Sequence, residues 1–256
     1  MKEFFDVTIL SVLQGVAEFL PISSSGHLVI GKSLLGMREL GMRLDIFLHV
    51  GTLFAVGAFY WRVIARICVQ REWSYVFKVI LSAIPAGIVG VLFKDQLEAA
   101  FASPRMVGFA LMFTGVVLTL TRFLPKGKLD VSYGKAFLMG CAQAVAILPG
   151  VSRSGSTLAA ARAAGVDTEK SAEFSFLMSA PPIAGAALLE VLNSMKTASE
   201  AAAEVSWGLC LVGAAFAAVV GYWSLKFLIA TLKGRWFWLF GPYCLLTGLC
   251  VVLFCQ

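Results

Sequence analysis

Six apolar runs, at 46–62, 75–93, 106–124, 174–192, 206–225 and 238–255, punctuate this chain from end to end. Each is close to the length of about 20 residues at which a helix crosses a bilayer, and this limits the fold before anything else does. In lipid every backbone polar group needs an internal partner, which a helix supplies within itself. The runs therefore predict an all-α, polytopic integral membrane protein with six transmembrane helices. Only 14% of the residues are charged, 59% are hydrophobic and the mean hydropathy is +0.85. Soluble domains carry about 25% charge. Too little polar chain remains to build one, so residues 1–256 read as a single membrane domain.

The net charge of +6 falls in short loops. No basic stretch is interleaved with aromatics and no nucleic-acid motif is present, so the charge argues for membrane orientation and against a nucleic-acid partner. The opening "MKEFFDVTIL" does not read as a signal peptide, because Glu3, Asp6 and Glu18 interrupt the apolar stretch and no small-residue cleavage site follows. Cys68, Cys141, Cys210, Cys244, Cys250 and Cys255 form no C-x-x-C pair and mostly sit in apolar segments. They read as small apolar residues, neither a disulfide framework nor a metal site.

Two further apolar segments, 8–30 and 136–165, carry polar interruptions: "PISSSGHLVI" at 21–30 and "PGVSRSGSTLA" at 149–159. Loop charge decides how they sit. Arg62, Arg66, Arg71 and Lys78 put the loop after the first run in the cytoplasm. The loop with Lys94, Asp95, Glu98 and Arg105 suits the outside, and "TRFLPKGKLDVSYGK" at 121–135 returns to the cytoplasm. Glu190, Glu200 and Glu204 against Lys196 suit the outside again, and Lys226, Lys233 and Arg235 the cytoplasm. This alternation leaves segment 8–30 ending outside and segment 136–165 beginning and ending inside. Each is expected to enter and leave on one face, as a re-entrant helical hairpin.

The two hairpins also match each other. "QGVAEFLPISSSG" aligns with "QAVAILPGVSRSG", setting Gln14 on Gln143, Ser23 on Ser152, Ser25 on Ser154 and Gly26 on Gly155. "DIFLHVGTLFAVGA" lies on "EFSFLMSAPPIAGA", and "FTGVVL" resembles "LTGLCVVL" with Thr114 on Thr247. Three matches in order imply internal repeats at approximately 1–125 and 130–256. With three spans each, an odd number, the halves sit inverted. Non-helical backbone at membrane depth is tolerated only inside protein or along a wet cavity. The two tips are therefore expected to meet near the midplane and build a polar site.

The groups brought there would be Gln14, Glu18, Ser23, Ser24, Ser25 and His27 from the first hairpin. The second adds Gln143, Ser152, Arg153, Ser154, Ser156 and Thr157. Gln14 and Glu18 are four residues apart and share a helix face. Arg153 is permanently charged and forks onto phosphate or carboxylate oxygens. With hydroxyls around it and a helix starting near Ser154, it reads as an anion site. If Arg153 only neutralised Glu18, the surrounding hydroxyls would be superfluous. His27 can move a proton and Glu18 can hold a metal or orient a base. Ser24 could act as nucleophile, or a metal-activated water could. His49, in "FLHVG", reads equally as structural or as support for the site.

At these residues the chain resembles the undecaprenyl-diphosphatase family of bacteria, the bacitracin-resistance type of undecaprenyl pyrophosphate phosphatase. "QGVAEFLPISSSGHLVI", "DIFLHVGTLFAV", "PGVSRSGST" and "EFSFLMSAPP" carry the resemblance, which covers nearly the whole chain. It implies an inner-membrane enzyme of cell-wall synthesis, with a pocket open to the outer, periplasmic face and a dependence on a divalent cation, Mg²⁺ or Ca²⁺. It also implies catalytic roles for Glu18, Ser24, His27 and Arg153. Gln14, Ser23, Ser25, Ser152, Ser154 and Thr157 would surround the substrate. The family's acidic pair often begins with Glu; Gln14 stands there in this chain, leaving Glu18 as the principal acidic metal ligand.

The expected activity is hydrolysis of a polyprenyl diphosphate lipid to the monophosphate and inorganic phosphate. The partners would then be that lipid and the bilayer, and a homodimer is compatible with this. The competing expectation is an inverted-repeat transporter or flippase for an anionic, phospholipid-like substrate, which would need Arg and donors but no acid/base pair. A lipid-binding scaffold would tolerate loss of both Glu18 and His27.

Overall fold

The computed structural model describes residues 1–37, 42–196, 205–234 and 236–255. The expected outer loop charges Glu190, Lys196, Glu200 and Glu204 lie outside the residues whose side chains are described, as does Arg235. Among the described residues the regular structure is helical. Two isolated bridges, Gly127 to Asp167 and Leu129 to Val166, tie the 121–135 loop to the segment before Thr168.

The first half runs α1 (Lys2–Phe19), α2 (Ser24–Leu35), α3 (Met42–Phe59), α4 (Trp61–Val69), α5 (Trp73–Leu92), α6 (Lys94–Phe101) and α7 (Pro104–Leu120). The second runs α8 (Tyr133–Val145), α9 (Arg153–Ala163), α10 (Thr168–Leu177), α11 (Ala180–Lys196), α12 (Trp207–Lys233) and α13 (Phe240–Phe254). Local chemistry sets many of the starts. Ser103, Ser132, Ser152 and Ser206 each accept a backbone N–H of the first turn, and Asp167 accepts two. Pro104 follows Ser103 at the first helical position, where its missing N–H costs nothing.

The polarity of the bundle is reversed relative to a soluble protein. On α5, Phe77, Ile80, Ile84, Ile88 and Val91 are all at least 46% exposed, along one helical stripe. Gln14, Ser11, Thr157 and Ser175 are meanwhile fully buried. Such apolar surface would drive aggregation in water and is at home in lipid. Among the described residues four helices, Trp73–Leu92, Pro104–Phe123, Trp207–Lys233 and Phe237–Phe254, are long and apolar enough to cross a membrane. Arg43–Phe59 and Trp61–Val69 make a fifth if taken together, bent by 70° at Tyr60. The expected run at 174–192 is broken into α10 and α11 at Met178–Ser179. Pro181 and Pro182 explain the break, since neither has an N–H to bond back into α10.

The helices interlock across the halves: α1 packs on α12 and α8 on α5, while α7 packs on α13. On the last pair, a Cβ added at Gly108 would lie 2.9 Å from the Gly248 carbonyl oxygen, and one at Gly115 2.8 Å from that of Gly241. Only glycine permits backbones this close, and close dispersion contact is what holds helices together in lipid. A core built on Phe19, Phe176, Leu118 and Leu225 lies beneath the two hairpin turns, with Phe19 edge-on to Phe176 at 5.5 Å. All six cysteines are free: Cys210 and Cys244 are buried, Cys68 and Cys250 exposed, Cys141 and Cys255 between.

Candidate active site

The turn between α1 and α2 and the turn between α8 and α9 touch. Ser23 sits in the left-handed region at φ 68°, strained for a residue with a side chain. Its hydroxyl accepts the N–H of Gly26 at 3.3 Å and, from the other hairpin, the N–H of Gly150 at 3.1 Å. Gly150 has φ 99°, and a Cβ at Gly26 would lie 2.9 Å from its Cα. Two glycines are needed because the chains cross backbone to backbone. Thr114 on α7 fastens the second turn, donating to the Gly150 carbonyl at 2.9 Å and accepting the Ser152 N–H at 3.0 Å.

The junction brings Glu18 to Arg153. The Arg153 Nη2 donates to Glu18 Oε1 at 2.5 Å, and its Nη1 to the Ser175 carbonyl at 3.4 Å. The guanidinium carbon stands 5.6 Å from the centre of the Phe176 ring. The other carboxylate oxygen, Oε2, accepts Ser24 Oγ at 2.5 Å and Gln14 Nε2 at 3.2 Å. Glu18 is 7% exposed, so its charge is compensated by these donors and little by solvent. The hydroxyls surround this pair: Ser23 and Ser25 lie 3.4 Å apart, Ser152 and Ser154 3.3 Å. Ser154 donates to the Leu20 carbonyl at 3.2 Å, and Thr157 shares a 2.6 Å hydrogen bond with Ser175.

The two histidines sit differently from their sequence neighbours. His27 Nδ1 is 2.8 Å from the Ser23 carbonyl, which can only accept, so Nδ1 carries the proton. Its Nε2 then accepts from the Tyr243 hydroxyl at 2.8 Å, and the rings stack 5.8 Å apart. Ser24 is turned away from His27 and onto Glu18. His49 instead faces the carboxylate: its Nδ1 donates to the Asp45 carbonyl at 2.7 Å and its Nε2 is 3.6 Å from Glu18 Oε2.

Of the expected site residues, Glu18, Ser24, Arg153, Gln14, Ser23, Ser25, Ser152, Ser154 and Thr157 lie on or beside the junction, with His27 at its α13 side. Gln143 is buried, and both of its amide heteroatoms have no hydrogen-bond partner. The reason is sequence: Gln14 has Glu18 four residues on, whereas the residue four after Gln143 is Ile147. Sequence reasoning missed Tyr243, Ser175 and the clamping role of Thr114. A tyrosine inside the apolar run "FGPYCLLTG" was the readable signal for the first.

A divalent cation would find a partial ligand set here. Glu18 offers one carboxylate, and Gln14 Oε1 is a buried amide oxygen with no hydrogen-bond partner. Among the described residues no group of three or more His, Cys, Asp or Glu side chains converges. Mg²⁺ commonly completes one or two carboxylate ligands with substrate phosphates and water, and this donor set fits that pattern.

A helical bundle with an apolar exterior, and a buried carboxylate, arginine and hydroxyl cluster where two hairpins cross, defines a multi-pass membrane protein with a buried polar site. The chain belongs to the family described as bacitracin resistance protein BacA, which it matches over residues 7–250. It is similar to the undecaprenyl-diphosphatase of Halothermothrix orenii, 38% identical over 98% of both chains. It is also similar to that of Rhodopirellula baltica, 41% identical over 99% of this chain and 98% of the other. The protein of that name from Bacteroides fragilis is 38% identical over 99% of each.

Proposed function

We propose that this protein hydrolyses undecaprenyl diphosphate to the monophosphate and inorganic phosphate, returning the lipid carrier of cell-wall synthesis to use. One observation carries the reading: Glu18 holds Arg153 on one oxygen and Ser24 on the other. Arg153 divides between Glu18 and the incoming diphosphate, whose oxygens match its fork. Ser152, Ser154 and Thr157, with Ser23 and Ser25 opposite, hold the phosphates, and the N-terminus of α9 adds backbone donors. Glu18 takes the proton of the attacking oxygen, from Ser24 or from water, as that oxygen bonds to the terminal phosphorus. The bond from that phosphorus to the bridging oxygen breaks, and the electron pair leaves on the polyprenyl monophosphate. If Ser24 is the nucleophile, water then cleaves the phosphoserine and releases inorganic phosphate. His27, steadied by Tyr243, serves as acid/base on the leaving side. Glu18 and Gln14 would hold Mg²⁺ or Ca²⁺, which would offset the diphosphate charge.

The membrane arrangement belongs to the same proposal. Six spans and two re-entrant hairpins form an inverted repeat in the bacterial cytoplasmic membrane, with the site open to the outer face. Two features support the repeat. Each half rests its hairpin on a long helix of the other, α1 on α12 and α8 on α5. Matching Thr114 to Thr247 carries Gly108 onto Gly241 and Gly115 onto Gly248, so the two glycine contacts of α7 and α13 exchange with each other.

The test is phosphate release from a polyprenyl diphosphate by purified protein in detergent. Release is expected to stop with EDTA, to return with Mg²⁺ or Ca²⁺, and to be absent in Glu18→Ala. Folded protein that binds the lipid diphosphate and releases nothing would favour the transporter instead. Tyr243→Phe is expected to lower kcat about fivefold, the kinetic equivalent of one neutral hydrogen bond of ~1 kcal/mol, and to displace one limb of the pH–rate profile. An unchanged profile would remove His27 from proton transfer.

A further inference from the structure

The 121–135 loop, whose cations served to orient the chain, also builds a pocket that the proposed reaction leaves unused. A cavity of about 370 Å³ opens between the 3-10 turn Thr121–Phe123, the C-terminal end of α9 and the 3-10 turn Phe237–Leu239. Arg122, Leu124, Pro125, Lys126, Arg162 and Trp238 line it, three cations and no acid. Arg162 follows Arg153 by nine residues on α9, so roughly 13 Å of helix separates the pocket from the Glu18–Arg153 pair.

The cations are positioned. Arg162 donates through Nε and Nη2 to the Leu124 carbonyl at 3.1 and 2.7 Å. The Arg122 guanidinium lies over the Trp238 ring at 4.7 Å, and Lys126 Nζ donates to the Lys233 carbonyl at 2.6 Å. Two acids of the neighbouring segments are themselves paired with lysines, Asp130 with Lys170 and Glu169 with Lys233 at 2.8 Å. An apolar stripe leads to the pocket along α7 and its last turn. Phe113, Val116, Leu120 and Phe123 are each 49% or more exposed at helical spacing. Cations, a tryptophan and an adjoining apolar stripe are what a lipid head group meets at a membrane surface. A free phosphate would have no use for the stripe.

We infer that this pocket holds the phosphate head group of an anionic membrane lipid, with the acyl chains lying along the α7 stripe. It is separate from the hydrolytic site, and the inference stands without the hydrolase reading.

Native mass spectrometry of the full chain, with phosphatidylglycerol and phosphatidylcholine supplied at equal concentration, tests it. The wild type is expected to retain phosphatidylglycerol preferentially. Arg122→Ala/Lys126→Ala is expected to lose that preference by roughly fivefold per cation, with an unchanged melting midpoint in lipid-free detergent. The preference should also shrink as ionic strength rises. A control pair, Lys94→Ala/Arg105→Ala, removes equal charge from a different loop and should retain the lipid. Equal retention of both lipids by the wild type, or an equal loss in the control pair, would overturn the assignment. So would displacement of phosphatidylglycerol by millimolar inorganic phosphate, which would make the pocket a plain anion site.

Discussion

Arg153→Ala is expected to lower kcat/KM for the polyprenyl diphosphate by roughly a thousandfold, the scale on which an arginine stabilises charge in phosphoryl transfer. Arg153 is the cation that the second hairpin presents to Glu18 of the first, and no Lys substitution reproduces its fork. The same change removes the Arg153 partner from Glu18, 2.5 Å away and buried. Breaking a buried pair in this way costs about 3–5 kcal/mol, so the variant should also melt earlier. Glu18→Gln on top of Arg153→Ala separates the two effects. It removes the stranded charge and should recover most of the stability, while activity stays lost. Comparing melting midpoints and initial rates of the two variants reads both quantities. Activity within tenfold of wild type in Arg153→Ala would reduce Arg153 to a structural counter-ion.

The second large effect comes from one methyl group. Gly150→Ala puts a side chain on a backbone at φ 99°, with its Cβ 2.5 Å from the Val107 carbonyl oxygen and 2.7 Å from Ala110 Cβ. Those atoms belong to α7, whose packing on α13 prevents it from moving aside. The strain alone is worth about 1–3 kcal/mol. The larger consequence is displacement, because Gly150 carries the hydrogen bonds to Ser23 and Thr114 that hold the two turns together. A shift of about 1 Å there would misalign Arg153 with Ser24 and cost roughly a hundredfold in rate. Gly87→Ala, within α5 with nothing inside 4 Å of its Cβ, is the comparison. It should be neutral or stabilising by up to about 1 kcal/mol, as alanine is the better helix former. If thermal melting and kcat failed to distinguish Gly150→Ala from Gly87→Ala, the contact between turns would not matter as argued.

Much of the site was legible because its parts are local. Gln14 and Glu18 share a face by helical spacing, and the α9 start follows from Ser152 capping the Gly155 N–H at 3.1 Å. The pairing of Glu18 with Arg153 was readable at one remove: a chain that buries two opposite charges in apolar surroundings has to bring them together. The histidines were not legible in the same way. His27 is three residues from Ser24 and looked like its partner, yet the turn at Ser23 rotates it toward Tyr243, 216 positions along the chain. His49, in the middle of an apolar run, became the histidine that faces Glu18.

The sequence by itself determined the helical class, the reversed polarity, the two polar turns and the residues most expensive to bury. These follow from composition and short-range periodicity, which act within a few residues. Tertiary structure alone decided which side chains meet across the turns and that Thr114 and Tyr243 reach them. Those outcomes depend on how α7 and α13 approach through glycines and how α1 and α8 lie on helices of the opposite half. Contacts between residues more than a hundred positions apart leave no trace in spacing, because only packing in three dimensions selects one approach among many.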